Sequence, residues 1–145
     1  MNRDFDRVVC TRHLIHDWPV PIASSAKQPS EKVILIVEDD DEVRKISAAL
    51  IQEIGFACIL ARSGCEALAI LSAGERIDIL FTDVLLRNGM DGKALAAKAT
   101  ELKPSLKILL TTASVGVHSS FPVLHKPFTK LSLAEALQAI DEPSH

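Results

Sequence analysis

Tyrosine is absent from this chain, tryptophan occurs once, and aromatic residues make up only 4% of it. Such scarcity argues against a platform for single-stranded nucleic acid, which stacks bases on a series of exposed rings. Basic residues are also few: 16 lysines and arginines stand against 19 acids, for a net charge of -3, with no large basic block. A nucleic-acid footprint normally shows as a basic excess, so DNA is not expected as a partner. Cysteine is limited to Cys10, Cys58 and Cys65, without a CxxC pair. That set fits neither a disulfide framework nor a zinc site, and reduced thiols are the plain reading. No apolar run is long enough to span a bilayer, and Arg12, His13, His16 and Asp17 break up the region where a secretory leader would be apolar. Neither membrane insertion nor export is signalled, so the expected compartment is the cytoplasm.

What the chain does contain is enough apolar sequence for one ordinary domain: 145 residues, 48% of them hydrophobic. Residues 1–31 stand apart. Pro19, Pro21, Ser24, Ser25, Pro29 and Ser30 have linker chemistry, and the stretch before them holds no sustained period. We read 1–31 as a flexible extension, 32–141 as the folded domain and 142–145 as a tail.

Within the domain two patterns alternate. Val33 to Val37 is a continuous apolar run rich in β-branched residues, as in a strand buried on both faces. The acids Glu38, Asp39, Asp40 and Asp41 follow. Val43, Ile46, Leu50 and Ile54 then recur at helical spacing up to Gly55. Phe56 to Ala61 reads as a second strand. Ser63 and Glu66 have capping-box spacing before a helix that turns Leu68 and Leu71 inward and stops at Gly74. Ile77 to Phe81 reads as a third strand leading to Thr82 and Asp83, with Asp78 taken as exposed. Gly92 to Leu102 reads as a helix with Leu95, Ala99 and Leu102 on one face. Leu106 to Leu110 is a fourth strand leading to Thr111 and Thr112. Val123 and Leu124 form a short fifth strand before Lys126-Pro127, and Ser132 with Glu135 opens a last helix using Leu133, Leu137 and Ile140.

Buried strands alternating with amphipathic helices imply an α/β fold, a parallel sheet with helices on both faces. Open sheets of this kind carry their functional groups at the carboxyl ends of the strands. Those ends here are Glu38 and Asp39, Asp83, Thr112 and Lys126. Each has a plainer reading alone: acids at a helix start, a loop aspartate, a strand threonine, a surface lysine. Gathered at one edge they describe chemistry. Carboxylates brought together favour a hard divalent cation with oxygen ligands, such as Mg²⁺. Asp83 is then placed to act as a nucleophile toward phosphorus, Thr112 to donate a hydrogen bond, and Lys126 to supply a compact positive charge.

The runs VILIVEDDDEVR, IDILFTDVLLRNGMDG, ILLTTAS and VLHKPF resemble the response-regulator receiver family, over roughly Glu31 to Ile140. The resemblance implies a doubly wound, five-stranded parallel sheet of the flavodoxin-like type, with strand order 2-1-3-4-5. It implies that Asp83 accepts a phosphoryl group from a histidine kinase or a histidine phosphotransfer protein. It also implies that Glu38, Asp39, Asp83 and the carbonyl of Leu85 hold Mg²⁺, that Thr112 is the switch hydroxyl, and that the Lys126-Pro127 bond is cis. Such a domain is a signalling element that turns over no external substrate, and with no effector domain read after it, its output would be a contact with a downstream protein.

Three departures from the family pattern stand out. The loop after Asp83 is one residue longer than the commonest form, and Arg87 stands where proline is usual. Ala113 to Pro122 is too short for a full fourth helix, which is expected to be short or absent. Val123 stands where the family usually has its switch aromatic, and Phe121 is the nearest substitute. These keep open a non-phosphorylated pseudo-receiver scaffold or a phosphate sink. A haloacid-dehalogenase-type phosphohydrolase would need a second aspartate two residues after Asp83, where Leu85 stands. A dinucleotide- or flavin-binding module is disfavoured because no GxGxxG follows the first strand and four acids there would repel a phosphate.

Overall fold

A computed structural model describes residues 32–87 and 89–141. The expected extension over 1–31, the tail over 142–145 and Cys10 lie outside the described residues. The elements run β1 (Val33–Val37), α1 (Asp41–Ile54), β2 (Ala57–Ala61), α2 (Gly64–Ser72), β3 (Ile79–Asp83), α3 (Gly92–Leu102), β4 (Lys107–Thr112), β5 (Val123–His125) and α4 (Lys130–Asp141). All four strand pairings are parallel, and the sheet order is β2-β1-β3-β4-β5. This is the doubly wound order that the family resemblance implied.

Alternate residues of the strands feed two separate apolar layers. Leu35, Val37, Ile59, Leu80 and Leu110 pack with Ala67, Ile70 and Leu71 of α2 and Leu95, Ala96 and Ala99 of α3. Ile34, Ile36, Cys58, Ile79, Phe81 and Leu109 pack on the other face with Ile51 of α1 and Leu133 and Leu137 of α4. Each fully buried aliphatic or aromatic side chain contributes about 1.5–3 kcal/mol relative to exposure. Both faces of the central strands are therefore covered, which explains why they read as unbroken apolar runs rather than as alternating ones. Cys58 is buried and free, with its thiol pKa pushed up by desolvation, whereas Cys65 is free and exposed.

Local chemistry sets the helix ends. Asp40 caps α1, its side chain accepting the N–H groups of Glu42 and Val43 at 2.9 and 3.1 Å. Ser63 caps α2 by accepting from Glu66 N–H at 3.1 Å, while Glu66 reaches back to the N–H of Arg62 at 2.7 Å. Asp91 caps α3 through Ala94 N–H at 2.8 Å.

Five sequence-based details change. The third and fourth strands start later than expected, at Ile79 and Lys107 rather than Ile77 and Leu106, and end at Asp83 and Thr112 as the edge rule placed them. Of the series expected to face inward from α1, Leu50 and Ile54 pack against the core but Ile46 is 58% exposed, and the most buried residues are Arg44, Ser47 and Ile51. Leu102, the last residue of α3, is likewise exposed. Asp78 is half-buried: its carboxylate accepts Val33 N–H at 2.8 Å and pairs with Arg76 at 3.3 Å. The last helix begins at Lys130, with Thr129 and Ser132 exchanging hydrogen bonds at its start, not Ser132 with Glu135. The segment Ala113–Pro122 holds no helix, in line with the short-or-absent expectation.

Candidate functional site

Parallel pairing brings the ends of β1, β3, β4 and β5 to one edge. Asp83 registers with Thr111, and Thr112 with His125. Thr112 O accepts the N–H of Lys126 at 2.8 Å, so the pairing continues one residue beyond β5 and delivers Lys126 to the edge. The Lys126-Pro127 peptide is cis, as the family resemblance implied. Glu38, Asp83 and Thr112 are all buried.

The edge is organised around one ammonium. Lys126 Nζ stands 3.0 Å from Asp83 Oδ2 and 3.1 Å from Glu38 Oε1. Burial acts to lower the pKa of Lys126, but the hydrogen bonds and charges of Asp83 and Glu38 outweigh it and raise the value above normal. Glu38 shifts up as well: desolvation by burial exceeds the help it receives from Asp40 N–H and Lys126. The two directions look contradictory for an ion pair. They are reconciled by sharing, since one cation serves two carboxylates and the side chain of Glu38 is the more deeply buried end, 7% exposed against 22% for Lys126. Negative charge at the edge is thus only partly compensated.

The remaining groups complete the shell. Asp83 Oδ1 accepts the N–H of Leu85 at 3.2 Å, and the Leu85 side chain turns to solvent. Thr112 Oγ1 accepts Ser114 N–H at 3.0 Å, which leaves its own proton free to donate. Asp39 Oδ2 accepts the backbone N–H of Arg87 at 2.8 Å. His118 and His125 are exposed, as expected from their lack of ligand spacing. Phe121 and Val123 are partly buried against the α2–α3 layer.

All donors offered by Glu38, Asp39 and Asp83 are carboxylate oxygens, the hard ligands that Mg²⁺ prefers, and the three share only two cations, Lys126 and Arg87. The three do not already close on one point. Among the described residues no three Asp, Glu, His or Cys side chains form a ready metal cluster. Lys126 lies between Glu38 and Asp83, and Asp39 is drawn toward Arg87.

Two contributors escaped the sequence reading. Arg44, a buried arginine, donates from Nη1 to the carbonyl oxygen of Glu38 at 2.8 Å and pairs through Nη2 with Asp41. It thereby ties the acidic loop to α1. Its signal was present as the i, i+3, i+7 series Arg44, Ser47, Ile51, which an apolar-only search overlooks. Arg44→Met keeps the stem but removes both contacts. It is expected to cost about 2 kcal/mol in urea denaturation, the scale of a buried hydrogen bond to a charged group. A loss under about 0.5 kcal/mol would show that the loop holds its shape without Arg44. The second contributor, Gly92, abuts the backbone of Asp83.

A parallel sheet in this order, with a lysine shared by two edge carboxylates and a threonine on the neighbouring strand, defines a receiver-type α/β domain. The family model described as response regulator receiver domain matches residues 34–138, and the chain belongs to that family. It is 32% identical over 115 residues to the response regulator receiver protein CpdR of Brucella abortus, covering 74% of this chain and 94% of CpdR. It is 30% identical over 118 residues to the sensor kinase CckA of the same organism, but spans only 12% of that kinase. Among solved structures, the receiver domain of the hybrid histidine kinase CckA superposes with a TM-score of 0.66 at 31% identity, covering 76% of this chain and 99% of that one. A receiver domain from Methylobacillus flagellatus superposes with a TM-score of 0.70 at 27% identity, covering 77% and 100%.

Proposed function

We propose that this receiver takes a phosphoryl group onto Asp83 in a Mg²⁺-dependent reaction and signals by a protein contact that depends on it. The observation that carries the reading is the Lys126 ammonium seated on Asp83 and Glu38 at the strand edge. A histidine kinase or histidine phosphotransfer protein is the donor, a reading supported by the kinase names among the relatives. A carboxylate oxygen of Asp83 attacks phosphorus, the P–O bond forms as the P–N bond to the donor imidazole breaks, and the departing imidazole takes its proton from water. Glu38, Asp39, Asp83 and the Leu85 carbonyl would hold Mg²⁺, which supplies positive charge to the phosphoryl oxygens when bound. Lys126 supplies a second, fixed charge beside them, and Thr112 donates its hydroxyl hydrogen. The domain works as a cytoplasmic switch without turnover of an external substrate, and phosphorylation biases an existing equilibrium between conformations.

A second reading, a scaffold that is never phosphorylated or a phosphate sink, is favoured by one observation. The usual fourth-helix region carries no helix, so the output face is remodelled. Incubation with acetyl phosphate and Mg²⁺ separates a phosphorylated receiver, switch or sink, from the scaffold. Intact mass is expected to rise by one phosphoryl group in the native chain, and not after chelation or in Asp83→Asn. No gain with acetyl phosphate or with any candidate kinase would put the scaffold first.

A further inference from the structure

The loop after Asp83 carries a cation that phosphoryl acceptance does not require. Arg87 engages Asp39 twice on the same oxygen: its backbone N–H reaches Oδ2 at 2.8 Å and its Nε stands 3.3 Å away. The Asp39 side chain is 10% exposed, while that of Arg87 is 71% exposed. Proline, usual at this position in the family, has neither an N–H nor a charge to offer. Every edge carboxylate therefore touches a cation in this conformation: Glu38 and Asp83 share Lys126, and Asp39 has Arg87.

We infer that Arg87 is a built-in counter-ion for Asp39 that competes with the divalent cation for that carboxylate. The inference rests on the reading of Asp39 as a metal ligand. Two physical effects produce the competition. The guanidinium stands against Oδ2, with Nε 3.3 Å away, and takes up room a metal would need there. A dication approaching Asp39 also meets a positive group a few ångströms away, and must either displace it or bear the repulsion. The guanidinium is well exposed, so water and salt screen the repulsion and the effect is severalfold rather than orders of magnitude. Functionally, the site half-fills at a severalfold higher Mg²⁺ concentration than it would without Arg87, which makes the receiver's readiness more sensitive to free magnesium.

The test is titration of MgCl₂ into the full chain by isothermal calorimetry after chelator treatment, with Mn²⁺ binding read from water-proton relaxation as a second measure. Arg87→Gln keeps the stem and the backbone N–H and removes the charge. It is expected to tighten the dissociation constant for Mg²⁺ about three- to fivefold, the range of a screened ion pair. Arg87→Lys, which retains the charge, is expected to stay close to the native value. Asp39→Asn is expected to abolish binding in either background. Binding that needs Asp39 but is equal or weaker in Arg87→Gln overturns the counter-ion role and leaves the metal reading standing. Binding by neither the native chain nor Arg87→Gln overturns both.

Discussion

Replacing Gly92 with alanine is expected to destabilise the domain by about 3 kcal/mol, at the upper end of overpacking costs. A Cβ at this position would lie 2.1 Å from Asp83 O and 2.8 Å from both Asp83 C and Val84 Cα. All three are backbone atoms of the strand end and the residue after it, so no side-chain rotation relieves the overlap. Either α3 must shift or the end of β3 must bend. Alanine gains about 1 kcal/mol over glycine inside a helix, but here that gain is smaller than the clash and the net sign is unfavourable. Because the displaced atoms belong to Asp83, phosphorylation by acetyl phosphate is expected to fall along with stability. Gly64→Ala is the control. It also lies at the start of a helix, but its new Cβ would meet only the Met90 side chain, at 3.3 Å. A flexible methionine can yield. The control is expected to stay within about 1 kcal/mol of the native protein in urea denaturation. Similar losses for both would mean that helix starts, rather than contact with Asp83, set the cost.

Lys126→Met is expected to cost about 2 kcal/mol at pH 7, measured in chelator so that divalent cations cannot compensate. Truncating one partner of a buried charge pair costs about 3–5 kcal/mol, and the partial exposure of Lys126, 22%, reduces it. The pH dependence gives the sharper signature. The pKa of Lys126 is raised in the folded state, so its contribution is fully present below the unfolded value and is lost as pH rises through the folded one. At neutral pH the native protein has the whole of it. Without Lys126, Glu38 loses a charge and a hydrogen bond that lower its pKa, and it holds its proton more strongly than before. The deficit of the variant is therefore expected to shrink as pH falls from 7 toward the carboxylate range. A deficit that does not change between pH 7 and 5 would mean that the ammonium acts by packing rather than by charge.

Much of this arrangement was legible before any coordinates. The strand runs and the parallel sheet followed from periodicity, because both faces of the sheet are covered; the gathering of Glu38, Asp39, Asp83, Thr112 and Lys126 followed from the edge rule, and the strand order from the family resemblance. Fine placement was less legible. Ile46 has helical spacing with Val43 and Leu50, yet α1 is rotated so that Arg44, Ser47 and Ile51 face inward. The carbonyl of Glu38 attracts the arginine, and a polar residue that satisfies a backbone group buries as readily as an apolar one. Ser132 and Glu135 matched a capping pattern, but Thr129 three residues earlier offered a hydroxyl that Ser132 could answer directly. Arg87 was noticed only as a departure from pattern. Its bond to Asp39 joins residues 48 apart and leaves no local trace.

The measurement that bears most directly on the central claim is chemical mapping of the phosphoryl site. Borohydride reduces an aspartyl phosphate to homoserine, which marks the modified position in a peptide mass map. After treatment with acetyl phosphate and Mg²⁺, the account predicts homoserine at position 83 alone, with Asp39, Asp40, Asp41 and Asp78 unchanged. Homoserine at any of those positions instead, or at none, would contradict it.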